Sequence, residues 1–202
     1  MKKVYEYWIP DTDDHFESIM SKDVYHEYQR TKRDYAISCV KNFDLALDIG
    51  GHIGLWAKPL TKVFKKVITF EPISVNRECL VKNLEGTNSE VIPYALGESS
   101  GKIKLSLPSI ENTGSYTISD DGIEVEMKKL DDFNFINVGF IKIDVQCMEI
   151  PVLKGAINTL KVCNPILCIE QGEREKPAIQ FCIDLGYKLV NVIGKEHIFV
   201  KN

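Results

Sequence analysis

The sequence predicts an α/β fold in which helices cover both faces of a mostly parallel sheet. Two observations predict it. Short apolar runs of strand length recur from residue 45 to residue 200, and amphipathic stretches at helical spacing lie between them. The runs are continuously apolar rather than alternating, as strands buried on both faces are.

Each element has its own reason. Residues 45–48 (LALD) form the first predicted strand, which meets Gly50 and Gly51. Residues 67–70 (VITF) form the second, ending at Glu71-Pro72. Residues 91–96 (VIPYAL) form a third, weakened by Pro93, which has no N–H to give a sheet. Residues 140–145 (FIKIDV) and 166–169 (ILCI, ending at Glu170) are the fourth and fifth. Residues 189–193 and 197–200 read as a terminal hairpin turning at Gly194-Lys195. Helices are expected over 53–64, over 75–84 with a stop near Gly86, over 149–160 and over 177–185 with Gly186 as the stop. In the third of these, Val152, Leu153, Ala156, Ile157 and Leu160 share one face.

Two stretches break the alternation. Residues 1–44 form an N-terminal helical extension, with one helix over 23–40 that turns Tyr28, Tyr35, Ala36, Cys39 and Val40 inward. Residues 97–132 hold two alternating runs, 102–107 and 123–127, joined by the polar loop ENTGSYTISDD, and read as an inserted β-hairpin. Nothing marks a linker or a repeat, so residues 1–202 are read as one domain.

Composition narrows the class. The 202 residues are 44% hydrophobic, enough for a sizeable core, and no apolar run approaches the roughly 18 residues of a membrane helix. The start, MKKVYEYWIPDTDD, has no apolar segment after its lysines, which predicts a cytoplasmic protein without a signal peptide. Net charge is −4 and the one short basic cluster is KVFKK at 62–66, so no nucleic-acid partner is expected. The six cysteines, at 39, 79, 147, 163, 168 and 182, form no C-x-x-C pair and sit at no zinc spacing from a histidine. Free thiols are expected, with no metal. The acid-rich WIPDTDDH at 8–15 lacks the Gly and Glu of a calcium loop and reads as helix capping.

The sharpest signal is LALDIGGHIG at 45–54. Ligands bind doubly wound sheets at the carboxyl ends of strands, where glycines let backbone approach without a Cβ in the way. Gly50, Gly51 and Gly54 supply that bareness, and the following N–H groups favour an anionic ligand group. The dinucleotide fingerprint fails, because its last glycines would fall where His52 and Ile53 stand. The P-loop candidate GESSGK at 97–102 is one residue short. What remains is D-x-G-x-x-x-G, with Asp48 placed to fix the loop or meet a cationic amino group. Glu71 ends the next strand about 20 residues later, where a carboxylate accepts hydrogen bonds from ribose hydroxyls. Pro72 and Ile73 then offer apolar surface to a base.

Four stretches together resemble a known family: LALDIGGHIGLWAKPL (45–60), VITFEPISVNRECLVKNL (67–84), VIPYALGESSGKIKL (91–105) and FIKIDVQCMEIPVLKGA (140–156), with a weaker match at PILCIEQ (165–171). The chain resembles the FkbM-type S-adenosylmethionine-dependent methyltransferases. The resemblance implies a Rossmann-like, seven-stranded sheet with the last strand antiparallel. It also implies S-adenosyl-L-methionine as cofactor and methyl transfer to a hydroxyl, here of a small molecule or a glycan. By the same resemblance Asp48, Gly50 and Gly54 surround the methionine part of the cofactor and Glu71 holds the ribose. Tyr94, Ala95 and Leu96 lie near the adenine, and Asp144 faces the reacting methyl group. One departure stands out. The family reads Asp-Val-Glu-Gly-x-Glu where this chain has Asp144-Val145-Gln146-Cys147-Met148-Glu149.

Methyl transfer to a hydroxyl needs a held nucleophile and a proton acceptor. Asp144 and Glu170 end neighbouring predicted strands and are the expected catalytic acids. His52, in the cofactor loop, is a further base candidate. Tyr28, Gln29 and Arg33 sit together on the N-terminal helix, within reach of the cofactor carboxylate, and Asn112, Ser115 and Tyr116 are candidate acceptor contacts. Asp144 with Glu170-Gln171 also resembles the oxygen ligands of metal-dependent catechol methyltransferases. The competing reading is a binding domain that keeps the fold without turnover, motivated by Gln146-Cys147. A nicotinamide oxidoreductase is disfavoured by the failed fingerprint.

Overall fold

The computed structural model describes residues 1–20, 28–171 and 176–201. The chain opens with a hairpin, β1 (Lys2–Val4) and β2 (Tyr7–Ile9), that the sequence reading missed; three-residue strands are too short to show a period. Helix α1 (Asp14–Met20) follows, started by Asp13, whose Oδ1 accepts the Phe16 N–H at 2.8 Å. That is the capping expected of WIPDTDDH. The helix expected over 23–40 is α2, Arg30–Ser38, preceded by Gln29 at φ 51°; residues 23–27 of that expectation lie outside the described residues. The extension is therefore a hairpin with helices rather than helical alone.

The main sheet then builds outward from its centre. Strand β3 (Leu45–Ile49) is followed by α3 (Ala57–Leu60), β4 (Lys66–Phe70), α4 (Ser74–Asn83) and β5 (Ser89–Ile92). The helix expected over 53–64 is regular only across those four residues; Gly54 at φ 93° delays its start. The strand expected over 91–96 is split at Pro93. β5 stays in the main sheet, and β6 (Ala95–Leu96) joins a second, four-stranded sheet. That sheet contains β7 (Gly101–Ser106), β8 (Thr117–Ile118) and β9 (Ile123–Lys128), and β7 pairs antiparallel with β9 as the inserted hairpin requires.

Strand β10 (Val138–Ile143) returns to the main sheet on the far side of β3. The helix expected over 149–160 is two helices, α5 (Glu149–Lys154) and α6 (Ile157–Cys163). The break falls at Gly155, where a Cβ would sit 2.0 Å from the backbone oxygen of Gly97. The insertion leans on the helix there. Strand β11 (Ile166–Glu170), α7 (Lys176–Asp184), β12 (Lys188–Ile193) and β13 (Glu196–Val200) complete the described chain.

The seven-stranded order is β12-β13-β11-β10-β3-β4-β5, parallel except for β13, the last strand, which runs antiparallel between β11 and β12. This is the Rossmann-like sheet the resemblance implied. Apolar side chains pack on both faces. Leu47, Ile49, Ile141, Ile143, Val152 and Leu160 fill one side, and Trp56, Leu60, Phe64, Phe140 and Ala36 fill the other. The chain leaves β3 toward β4 and later crosses to β10 on the opposite side, so a crevice opens at the carboxyl ends of β3 and β10. Among the described residues no helix is long and apolar enough to cross a membrane.

Candidate active site

The turn after β3 is shaped by what its glycines touch. Gly50 has φ 85°, and a Cβ there would sit 1.9 Å from the backbone oxygen of Asp144. A residue without a side chain lets β3 and β10 close up at the mouth of the crevice. At Gly51 a Cβ would meet Thr69 Oγ1 at 1.9 Å. The N–H groups of Gly50 and Gly51 both donate to Phe70 O, at 3.1 and 2.9 Å, and tie the turn to the end of β4. Gly54 lies elsewhere: it faces Leu80 and Leu84 and lines no part of the cleft. It packs beside α4.

Glu71 follows β4 and is buried. Its Oε2 accepts the His52 N–H at 2.9 Å and its Oε1 accepts the Ile73 N–H at 2.9 Å. A carboxylate offers about four acceptor positions, so each oxygen keeps one free. Burial pushes its pKa up to about 7, against the pull of those two N–H groups and of Arg77. Asp48, in register with Lys142 on one side and Thr69 on the other, is likewise pushed up to about 7 by burial, with Lys142 opposing.

Glu71 borders a cleft that opens to solvent and holds about 640 Å³ of empty space, its mouth included. Gly50, His52, Glu71, Pro72, Ala95 and Asp144 line it. A second lobe of about 470 Å³ shares Gly50, His52 and Asp144 and adds Asp48, Gly51 and Tyr28. Tyr28 is held by Gln29, whose Nε2 donates to its hydroxyl at 3.2 Å, while Trp56 Nε1 donates to Gln29 Oε1 at 2.5 Å. Arg33 lines neither lobe and donates to the Tyr28 carbonyl at 3.3 Å. Of the polar-loop candidates, Tyr116 lines the cleft and Asn112 and Ser115 do not.

The acid pair stands beside the cleft. Ile143 pairs with Ile169 across β10 and β11, so the next residues, Asp144 and Glu170, lie side by side. Asp144 faces both lobes; Glu170 stands behind it and lines neither. Burial works to raise Asp144, but Lys142, with Nζ 3.7 Å from Oδ2, outweighs it together with hydrogen bonds from Glu170 and Gln146, and the net pKa is lowered. Glu170 is pushed up to about 7 by burial and by the Asp144 charge. The two acids thus titrate as a pair, with Glu170 held up and Asp144 held down. Lys142 itself is buried, with its ammonium 5.2 Å from the Trp56 ring centre. Burial lowers its pKa, but Asp144 and the neighbouring acids more than reverse this, so it stays charged. No third acid, histidine or cysteine joins Asp144 and Glu170 in a metal-holding group among the described residues.

Sequence reasoning missed the residues that close the cleft from the insertion. Thr113 is buried and anchored at each polar atom. Its N–H donates to Asp13 Oδ2 at 3.1 Å, and its hydroxyl donates to the same oxygen. Its Oγ1 lies 2.8 Å from His52 Nε2, and its carbonyl accepts Asn76 Nδ2 at 2.8 Å. Because the hydroxyl proton goes to Asp13, His52 donates from Nε2, which leaves Nδ1 as an acceptor. Burial lowers the His52 pKa to about 4, so the ring is neutral at pH 7. Lys142 had a visible signal, a lone lysine inside an apolar strand. Asp13 and Thr113 meet across 100 residues and had none.

Comparison with known proteins places this geometry. The profile of the methyltransferase FkbM domain matches residues 48–193. The chain belongs to the FkbM methyltransferase family. A curated relative, the hexuronic acid methyltransferase AglP of Haloferax volcanii, is 29% identical over 132 residues, covering 61% of this chain and 54% of that protein. The crystal structure of methyltransferase FkbM from Methylobacillus flagellatus superposes with a TM-score of 0.57 at 15% identity, over 93% of this chain and 55% of that one. An rRNA methylase from Streptococcus thermophilus shares the fold with a TM-score of 0.53 at 14% identity, over 85% of this chain and 94% of that one. The chain thus spans about half the length of its FkbM and AglP relatives. The fold itself does not exclude a nucleic-acid acceptor, since it also serves an rRNA methylase.

Proposed function

We propose that this chain is an S-adenosylmethionine-dependent methyltransferase that O-methylates a hydroxyl of a small molecule or a glycan. The observation that carries the cofactor is Glu71. It is a buried carboxylate whose two oxygens each hold one backbone N–H and keep one acceptor position, at the edge of a cleft walled by a bare glycine turn. A ribose diol fits that demand for donors. Pro72, Ile73 and Ala95 supply apolar surface for a base, and Asp48, Gly51 and Tyr28 border the lobe left for the amino-acid part. Bound there, the cofactor supplies the electrophilic methyl group.

The chain's own work is orientation and proton transfer. Asp144 faces the cleft as an ionised acceptor, hydrogen-bonds an incoming hydroxyl and aligns it. When Glu170 is deprotonated, the Asp144–Glu170 pair takes the released proton, the raised pKa of Glu170, about 7, supplying the affinity. A glycan acceptor is supported by the hexuronic acid named for the archaeal relative. The test is isothermal calorimetry with S-adenosylhomocysteine on wild type and Glu71→Ala. It is followed by methyl transfer from labelled cofactor to uronic acids, neutral sugars and RNA. Absence of binding by the wild type, or equal binding by Glu71→Ala, overturns the cofactor assignment. Binding with transfer to RNA alone overturns the acceptor class.

A further inference from the structure

Among the side chains that line the cleft, one carries an unmet demand. Asn76, in the first turn of α4, is 2% exposed, and its Nδ2 is committed to the Thr113 carbonyl at 2.8 Å. Its Oδ1 is buried and has no hydrogen-bond partner. A buried amide oxygen left unpaired is costly, and protein interiors rarely tolerate one. The amide cannot turn over to escape, because reversal would set Oδ1 against the Thr113 carbonyl, acceptor against acceptor. The carbonyl is itself fixed, since both the N–H and the hydroxyl of Thr113 are held by the buried Asp13.

The position of Asn76 says what would meet it. It follows Ile73, whose N–H holds Glu71 Oε1, and it touches Thr113, whose hydroxyl holds His52; the His52 N–H in turn holds Glu71 Oε2. Asn76 therefore belongs to the Glu71 end of the cleft. That end presents acceptors: two free positions on Glu71, Oδ1 of Asn76 and Nδ1 of His52. A ligand that satisfies it must bring hydrogen-bond donors, and a ribose brings two on adjacent carbons.

We propose that Asn76 is a specificity-determining residue for the ribose. Its Oδ1 accepts a hydrogen bond from one of the two hydroxyls while Glu71 takes the other, and Thr113 of the insertion is the positioning residue that turns the amide this way. The inference rests on the reading that the cleft binds a nucleoside cofactor. It gives the inserted hairpin a role: Thr113 reaches from the insertion to orient a reader on α4, and Asp13 of the extension holds Thr113 in place.

The test is a binding cycle that needs no acceptor. Calorimetry measures S-adenosylhomocysteine and its 2′-deoxy and 3′-deoxy analogues on the wild type, Asn76→Ala and Asn76→Ser. In the wild type loss of the hydroxyl on Asn76 is expected to weaken binding by about 3–10-fold, the range of one neutral hydrogen bond, and loss of the one on the Glu71 carboxylate by about 10–100-fold. In Asn76→Ala the penalty for one deoxy position is expected to vanish while the other persists. Asn76→Ser, which keeps a small acceptor, is expected to fall between. Equal penalties at both positions in wild type and variants overturn the proposal. So does complete loss of binding in either variant with an unchanged melting curve, because one neutral hydrogen bond carries no such loss. Failure of the wild type to bind S-adenosylhomocysteine at all overturns the underlying cofactor reading instead, and so is told apart.

Discussion

Replacing Glu71 by glutamine should remove the pH dependence that this residue gives to stability. The Glu71 carboxyl has its pKa pushed up to about 7 from an ordinary 4.5, chiefly by burial. A carboxyl whose folded pKa is raised contributes stability that is fully present below its unfolded value and is lost as pH rises through its folded value. At pH 5 about a quarter of that stability is gone; at pH 8 nearly all of it is. Linkage over this window gives about 2.5 kcal/mol less stability from this one group at pH 8 than at pH 5. Glutamine cannot ionise, so Glu71→Gln lacks the loss. The amide resembles the protonated acid in having one acceptor oxygen and one donor group between the His52 and Ile73 N–H groups. Its fixed cost is therefore similar at both pH values and cancels in the comparison. The stability of the variant minus that of the wild type should rise by about 2.5 kcal/mol from pH 5 to pH 8. In melting temperature this is about 5–10 °C for a chain of this size. Urea unfolding of both proteins at the two pH values measures it. The other raised carboxyls, Asp48 and Glu170, titrate in both proteins and drop out of the difference. A difference that stays constant between pH 5 and pH 8 would refute the reasoning, because it would mean that Glu71 ionises in place without cost.

Gly50→Ala should destabilise the protein by about 2–5 kcal/mol in urea unfolding, since it combines φ 85° with a Cβ 1.9 Å from the Asp144 oxygen. Cys147 stands at φ 72°, a left-handed conformation that glycine adopts freely, so Cys147→Gly should raise stability by about 1 kcal/mol and the melting temperature by about 2–4 °C. The rate of methyl transfer should climb as pH rises through about 7, where Glu170 gives up its proton, and Glu170→Gln should remove that step from the pH–rate profile. Nitrogen chemical shifts of His52 should show the proton on Nε2, and Thr113→Val should shift the ring toward the other tautomer.

What the sequence revealed and what it hid divide along physical lines. The buried strands were legible because each is a continuous apolar run between turn residues, and β3, β4, β10 and β11 fall within two residues of their expected bounds. Glu71 and Asp144 were legible because they end such strands. The breaks were less so. Pro93 announced a weakness but not that β6 would leave the main sheet for another. The break at Gly155 depends on the Gly97 oxygen, 58 residues away in the chain, and periodicity carries no such contact. Asn76 read as an ordinary polar residue near a helix start. The role proposed for it rests on which of its two amide ends Thr113 occupies, and only tertiary structure decides that.

The same distinction bears on the departure at Gln146-Cys147. In sequence it looks like damage, an acid lost and a glycine replaced beside the proposed base. In space Gln146 Nε2 donates to Asp144 Oδ1 at 3.2 Å, and the backbone keeps left-handed φ at both residues, 47° and 72°. The loop shape that a glycine would allow is therefore retained at the cost of local strain. The substitution also changes the charge balance. A glutamate at 146 would add a third negative group next to Asp144 and Glu170 and would draw protons onto the cluster. The amide instead supplies a donor that helps hold the Asp144 pKa down, while the Glu170 pKa stays raised. The substitution removes an acid without removing the acid pair, and this weighs against the reading of a domain that binds cofactor and does nothing with it.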